Sequence, residues 1–399
     1  MSVLRQGYVT AALLGALWCL VIAVTVAVAM SFVTGEPFRP AALWSLLWGA
    51  GIGAAALSGR TALWGAAAVV FGLGMVGIGA LTSEAGFLAG AVGQAALAGF
   101  TAVGLWKILD EVVPGPLTRH VFEAAVIRFL TGFGYIFFTA IVLIPFYVMV
   151  MTSLKNQSEL IQNPLDFSID LSLGWELFRS YRELMVDFNF GSYLWTSFYI
   201  SVLTVLITLA FSIPGAYAVA RLRFRGQALM GRSILLIYMV PMIVLALPIY
   251  IAFSMAGLRN SVLGIVMIYP VTTIPVALYM LQGYFRGLPA EVEEAGLMDG
   301  LSRLAVIWKI TLPLSLPALA SVSLYVFMIA WNEFLLAFML LDDPSKFTLT
   351  RGIASLNSSE IPRQHLMAGS VIATVPIMVI FLGLERFMTK GLTAGSVKG

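Results

Sequence analysis

Two groups of residues have the types and spacing to do chemistry. The first is Trp331, Asn332 and Glu333: an indole, an amide and a carboxylate side by side in an otherwise apolar run. An acid inside a membrane span costs about 2.5–3.5 kcal/mol on insertion scales, so such residues face a cavity or a partner. Polar groups beside an aromatic face suit sugar hydroxyls and ring faces. Pairing with another subunit, or reaching the outer interface, is the other reading of Glu333. The second group is a polar stretch carrying Glu291, Glu293, Glu294, Asp299 and Lys309. Elsewhere chemistry is sparse. Cys19 is the sole cysteine and lies in an apolar run, which excludes a disulfide framework and a Cys-based metal site. His120 and His365 are far apart, so no histidine metal cluster is expected. No Gly-Lys dipeptide occurs, so there is no Walker A phosphate loop, and the chain does not hydrolyse ATP by itself in that way. A membrane-embedded enzyme would want paired acids, His or Cys on adjacent spans. None are seen, and the chain is not expected to be an enzyme or to bind a cofactor.

The elements that must position these residues are membrane helices. Of 399 residues, 60% are hydrophobic and 11% charged, against roughly 25% charged in soluble domains. Mean hydropathy is +0.95. These values exclude disorder, collagen and a soluble multidomain enzyme, and predict an all-α polytopic membrane bundle. A net charge of +3 is too small and dispersed for a nucleic-acid partner. A span needs about 20 mostly apolar residues. Ten candidates satisfy that pattern: 9–33, 41–57, 62–82, 86–106, 129–152, 192–218, 233–256, 263–282, 315–341 and 367–386. The second is short. The first is too long for a signal h-region of about 7–15 residues and reads as an uncleaved anchor.

Charge asymmetry sets the orientation. Arg221, Arg223, Arg225 and Arg232 stand together without an acid, which predicts a cytoplasmic segment. Arg5, Arg60, Lys107, Arg119, Arg128, Arg386, Lys390 and Lys398 then fall on the same side, and both termini are cytoplasmic. The 153–190 loop, with Glu159, Asp166, Asp170, Glu176, Glu183 and Asp187 against Lys155, Arg179 and Arg182, falls outside, as does 342–366.

Texture divides the chain in two. Residues 1–128 form an Ala- and Gly-rich four-span region with very short connections, followed by a polar cytoplasmic connector at 107–128 with Pro114-Gly115-Pro116 as a turn. Gly49…Gly53 and Gly86…Gly90 have the spacing that lets helix backbones approach, although such matches also arise by chance in so Gly-rich a segment. Trp44, Trp48, Trp64 and Trp106 sit near span ends, as interfacial anchors do. Residues 129–399 form a six-span unit, with its core at about 191–386 and a distinctive loop at 284–314.

That loop reads as a helix–turn–helix. Pro289 suits a first helical turn, and Glu291, Glu293 and Glu294 complement the positive helix end. Asp299-Gly300 stops the helix, with glycine free to take a left-handed cap. Ser302 can cap a second helix, and Lys309 lies in its last turn. Leu304, Ile307 and Trp308 share one face. An exposed apolar face needs a partner; packing on the protein's own helices or on headgroups would also satisfy it.

In sequence the loop resembles the EAA loop of binding-protein-dependent ABC importer permeases: Glu-Ala-Ala, three residues, Gly, nine residues, Ile, one residue, Leu-Pro. Glu294, Ala295, Gly300, Ile310, Leu312 and Pro313 match in register, and Gly296 replaces the third alanine. Glycine there costs roughly 1 kcal/mol of helix propensity, so the helix is weaker or its backbone approaches the partner more closely. Met239-Val-Pro241, Leu258-Arg-Asn-Ser261, Gly283-Tyr-Phe285, Trp331-Asn-Glu-Phe334 and the tail Gly391–Gly399 are similar to the carbohydrate branch, the maltose and oligosaccharide type. The resemblance covers roughly 129–399. It implies a type I ABC importer transmembrane domain, an ATPase subunit dimer holding ATP-Mg, a second permease subunit and an extracytoplasmic sugar-binding protein, in a bacterial inner membrane. It also implies that Glu294 and Asp299 supply polar contacts or caps to the ATPase, Gly300 the turn, and Leu304, Ile307 and Trp308 the docking surface. The 342–366 loop would reach toward the binding protein and the tail toward the ATPases. The first four spans are not part of that pattern. An ion-coupled carrier is the rival class, but such carriers place several ionisable residues in their spans. Glycerol phosphate or a polyol is the rival cargo; a sugar phosphate would favour Arg residues deep in the spans, and none are seen there.

Overall fold

The computed structural model describes residues 3–162, 166, 168–358 and 360–393. Two compact units divide the chain, Met1–Leu177 and Phe178–Gly399. In the first, α1 (Gly7–Thr34), α2 (Ala42–Ala56), α3 (Arg60–Met75) and α4 (Phe87–Ile108) precede a long α5 (Arg119–Ser153) and a short α6 (Gln157–Gln162). The tight seam is α1 on α2. A Cβ on Gly49 would land on the Gly15 carbonyl and Cys19, and one on Gly53 on the Ala11 carbonyl. The Gly49…Gly53 spacing therefore marks a real backbone approach, whereas Gly86 faces open space and Gly90 meets only Ser83 Oγ at 3.6 Å. Around the seam Leu14, Trp18, Ile22, Ile52, Leu97 and Leu105 form the core.

Two features of this unit differ from the sequence reading. A two-stranded antiparallel sheet pairs β1 (Phe38–Pro40) with β2 (Leu81–Ser83); three-residue strands are too short to leave a periodic signal. Also, α5 starts ten residues earlier than the span predicted from 129. Thr118 accepts from the Val121 amide at 3.3 Å and caps it, and the Arg119–Glu123 pair at 2.6 Å bridges its first turn. The polar connector is consequently shorter, and α5 belongs to the first compact unit.

The second unit holds α7 (Arg179–Val186), α8 (Phe190–Arg221), α9 (Gln227–Tyr238), α10 (Met242–Met255) and α11 (Val262–Gly287). The 284–314 segment follows, with α12 (Ala290–Met298), α13 (Arg303–Val306), one π-helical turn (Ile307–Thr311) and α14 (Leu312–Leu314). Then come α15 (Leu316–Asn332), α16 (Leu335–Leu340), α17 (Leu349–Ser355) and α18 (Arg363–Thr393). Helices α8 and α11 pack through small and hydroxyl side chains. Thr208 and Thr273 hydroxyls meet at 2.6 Å, and Ser212 donates to the Ile274 carbonyl at 3.4 Å. Residues 394–399, including Lys398 and most of the tail motif, lie outside the described residues.

By length and apolarity α1, α4, α5, α8, α11 and α18 can cross a bilayer, and α13 to α15 together make a seventh, bent span. Helices α2, α3 and α10 are apolar but have 15, 16 and 14 residues, or about 21–24 Å at 1.5 Å per residue. Each of the ten predicted runs overlaps one of these segments, but the 62–82 run ends early: α3 stops at Met75, and Leu81 and Thr82 belong to β2. The predicted 233–256 run is broken at Pro241, which precedes α10 and cannot continue α9. The predicted 315–341 run is broken at Glu333, described below.

The glycine seam gives a direct test. Gly49→Leu is expected to destabilise the first unit by at least about 1–3 kcal/mol through overpacking, read as a lower unfolding temperature in detergent. Gly51→Leu, whose Cβ would meet nothing within 4 Å, is expected to leave that temperature unchanged.

Candidate functional site: the 289–315 elbow

Local chemistry builds the elbow largely as the sequence predicts. Pro289 is the N-cap of α12, one position before the expected first turn. The helix ends on Gly300 at φ +86°. Leu301 donates to the Gly296 carbonyl at 3.1 Å and Gly300 to Leu297 at 3.1 Å, a left-handed cap with paired reverse hydrogen bonds. Ser302 accepts from the Ala305 amide at 3.3 Å and starts the second limb. The second limb widens into the π turn and then bends by 79° into α15. Ser315 makes the corner: its amide reaches the Thr311 and Leu312 carbonyls, both at 3.0 Å, and its hydroxyl donates to Thr311 O at 2.6 Å. Pro317 lacks the N–H that would continue the ladder and sits where a restarting helix accepts it.

What fixes the elbow to the membrane helices is Glu293. It is 8% exposed. Its Oε2 accepts from the Tyr217 hydroxyl at 3.1 Å, and its Oε1 accepts from Thr311 Oγ1 at 3.0 Å. Arg221 Nε lies 3.6 Å from Oε1, and Arg221 Nη2 donates to the Leu288 carbonyl at 2.7 Å. One carboxylate thus joins both limbs of the elbow to the end of α8. Tyr284 adds a tie from α11 to the Leu314 carbonyl at 3.1 Å. Sequence reasoning missed Glu293 because the helix dipole already accounts for three acids in one turn. Spacing does not separate it from its neighbours, because Glu291, Glu293 and Glu294 each have a small residue three or four positions away (Ala295, Gly296 and Ala290).

The predicted residues separate into an outward and an inward set. Glu294, Ala295, Asp299, Gly300 and Pro313 are exposed. Leu304 and Trp308 are 70% and 71% exposed, and Met298 joins them at 88%. Ile307, expected on the same face, instead packs with Leu288 and Leu319 against the core around Tyr217, Leu281 and Phe285. Consecutive helical residues lie about 100° apart around the axis, so Ile307 faces the bundle while its neighbour Trp308 faces away. Ile310 and Leu312 are half-buried. A Cβ on Gly296 would land on Ile310 Cδ1. The close backbone approach that glycine permits is therefore to the elbow's own second limb, not outward.

The Trp331–Asn332–Glu333 group is tied up within the chain. Trp331 is 3% exposed, stacks with Phe327 and donates its indole N–H to the Ala373 carbonyl at 3.1 Å. Glu333 ends α15 in an extended conformation (ψ 123°), and its carboxylate accepts from the Leu336 and Ala337 amides at 2.8 and 3.1 Å. It caps α16, where a negative charge is favoured. Its backbone carbonyl accepts from Thr350 at 2.6 Å. Asn332 is exposed, with its amide on Met328 O at 2.9 Å. The group therefore breaks a span and seats a short helix. Asn260, from the Leu258–Ser261 motif, clasps the same region at φ +52°: its side-chain oxygen accepts from Asp342 and Asp343 at 3.2 and 3.0 Å. Among the described residues no group of three His, Cys, Asp or Glu side chains could hold a metal ion.

Comparison with known proteins places this geometry. The profile of the binding-protein-dependent transport system inner membrane component family matches residues 212–393, which include the whole elbow. An inner membrane ABC transporter permease protein of Escherichia coli K12, YcjP, is 37% identical over 67% of this chain and 95% of its own length. The chain belongs to this family. A trehalose/maltose transport system permease of Thermococcus litoralis, MalG, is 34% identical over 69% of this chain and 99% of its own. A bacterial ABC transporter involved in import of the acidic polysaccharide alginate has a chain that superposes with a TM-score of 0.58 at 23% identity, covering 67% of this chain and 98% of that one; it shows the shared fold. This permease is accordingly a multi-pass inner membrane protein, and about a third of it extends beyond those relatives.

The elbow's anchor is testable by mutation. Glu293→Ala leaves Arg221 and the Tyr217 hydroxyl without their buried acceptor, and breaking such a pair costs about 3–5 kcal/mol. Glu293→Gln keeps an acceptor for one hydroxyl and offers an NH2 that the other hydroxyl can accept, so it is expected to cost less. Hydrogen exchange in 290–314 is expected to rise strongly in the first variant and modestly in the second.

Proposed function

We propose that this permease is a subunit of an ATP-driven importer of di- or oligosaccharides and that the 289–315 elbow is its joint with the ATPase. The observation that carries the reading is one motif with two opposite faces. Glu293, Gly296 and Ile307 bind it into the bundle, while Leu304, Trp308 and Met298 stand exposed beside Glu294 and Asp299. In an aqueous compartment such a face needs a protein to cover it. The carbohydrate cargo is supported by relatives whose names specify trehalose/maltose and, at 30% identity, arabinooligosaccharides.

In this reading the elbow and both termini are cytoplasmic. The elbow seats in a cleft on one subunit of an ATPase dimer, which holds the ATP-Mg; this chain supplies no catalytic group. A second permease completes the path, and an extracytoplasmic binding protein delivers sugar. When ATP draws the ATPases together, Leu304 and Trp308 are pushed, and the Glu293 contacts pass the displacement to α8 and, through Ser315, to α15. Cavity opening is then a rigid-body consequence of elbow motion. Gly300 is required because φ +86° excludes proline and strains other residues.

Purification of the tagged permease with its neighbours is expected to recover an ATPase and a second permease, with sugar uptake in vesicles dependent on ATP. Trp308→Asp is expected to release the ATPase while the permease stays folded in the membrane. Gly300→Pro is expected to abolish uptake. Retained ATPase binding and normal uptake in both variants would remove the elbow from the mechanism, and uptake driven by an ion gradient without nucleotide would indicate a secondary carrier.

A further inference from the structure

The family's length leaves α1 to α4 without a counterpart, yet the first unit gives them a definite relation to α5. Helices α1 and α5 run in the same direction and touch at three successive levels. At their starts Gln6 and Pro116 form a β-bridge, the Leu117 amide donates to Arg5 O at 2.7 Å, and the Gly7 amide donates to Gly115 O at 2.6 Å. Gly7 has no room for a Cβ, which would land on the Val113 carbonyl. Midway, Trp18 meets Phe129 edge-on at 6.1 Å between centroids, and a Cβ on Gly132 would lie 3.0 Å from the Trp18 ring. At the far end Phe32 and Tyr147 stack at 5.2 Å and 7°, and the Tyr147 hydroxyl donates to Phe32 O at 2.9 Å.

The clasp continues past the end of α5. Gly35, the left-handed cap of α1 at φ +73°, sits under Asp166 and Ser168: a Cβ there would be 2.9 Å from Asp166 Oδ1 and from Ser168 Oγ. Lys155, 7% exposed, pairs with Asp166 at 2.9 Å. Ser168 donates to Asp166 Oδ1 through its amide and hydroxyl, at 2.9 and 2.7 Å. On the flank, Arg128 of α5 pairs with Glu111, just after α4, at 2.5 Å. The apolar length of α5 is otherwise unburied within this chain, so these contacts are what determine its position here.

We propose that residues 3–118 are a bracket that holds α5 along its length and clips the segment after it, making α5 a fixed post of the importer. The inference rests on the importer reading given above, in which α5 is the first span of the transport unit. Small residues at the contact points (Gly7, Gly35, Gly132) let backbones and rings meet without slack, and the three levels fix tilt, rotation and sliding together. A hinged or regulatory appendage would need one of these levels to be open.

Cross-linking in the assembled complex tests this, with Cys19→Ala as background so that the native thiol is absent while its Cβ contact with Gly49 remains. Gln6→Cys with Pro116→Cys should form a disulfide, because bridged residues lie about 4.5–5.5 Å apart between Cα atoms, within disulfide reach. Phe32→Cys with Tyr147→Cys should be joined by a short bismaleimide. A bracket predicts that complexes linked at both ends lose less than about half of their uptake rate, since no rate-setting motion crosses the links. It also predicts equal cross-linking yields without nucleotide and in an ATP-trapped state. Uptake reduced about tenfold or more by the disulfide and restored by reduction, or a yield that depends on nucleotide, would show that residues 3–118 move against α5 and overturn the proposal. If no ATPase accompanies the unlinked permease, the importer reading fails on its own account; a complex that transports until it is linked leaves that reading standing and removes only the bracket.

Discussion

A carboxylate is costly to bury in a protein with so few charges, and Glu293 is buried at the junction of two structural limbs. The cost is met by two hydroxyl donors and a guanidinium, the condition under which a buried acid is stable. The rest of the elbow follows from that constraint. With Glu293 held by Tyr217 and Arg221, α12 has one face committed inward. Thr311 on the same carboxylate brings the second limb back beside the first. Gly300 then reverses the chain, and the residues that cannot turn inward, Leu304 and Trp308, are left exposed.

The same economy appears elsewhere. Glu333 looks like a substrate group in an apolar stretch, but its charge is used on the N-terminal amides of α16. It breaks a span where the backbone would otherwise run straight; Thr350 satisfies the Glu333 carbonyl at the break, and Asn260 takes the Asp342 and Asp343 amides that follow α16. The irregular backbone is tolerated because side chains re-satisfy its polar groups. The break at Ser315 is satisfied locally in the same way. One interruption, at Glu333, therefore divides the predicted 315–341 span, and a second, at Ser315, bends the chain where that span begins, so the pieces need not move as a single rod.

Legibility in the sequence followed distance along the chain. The turn at Gly300, the Ser302 cap and the apolar character of each span depend on neighbours within a few residues, and the pattern displays them. The α12 anchor depends on Tyr217 and Thr311, 76 and 18 residues from Glu293, and Arg221 had a sufficient explanation as a topogenic charge. Helical spacing groups Ile307 with Leu304 and Trp308, but it lies at the edge of that stripe, and which way an edge residue faces depends on the core around Tyr217, Leu281 and Phe285. Runs such as 233–256 and 315–341 read as single spans because hydropathy does not register a proline or one capped acid. The Gly49…Gly53 seam was visible as spacing, but only its packing against Gly15 and Ala11 separates it from Gly86…Gly90.

The account depends on the elbow and α8 moving as one body. Spin labels at Glu291 on α12 and Phe211 on α8, both exposed, read that relation directly by pulsed electron resonance. A rigid linkage predicts one distance distribution, unchanged between nucleotide-free and ATP-trapped complexes. A distribution that shifts or splits on ATP binding would mean the elbow swings on the bundle, and the Glu293 junction would then be no transmission element.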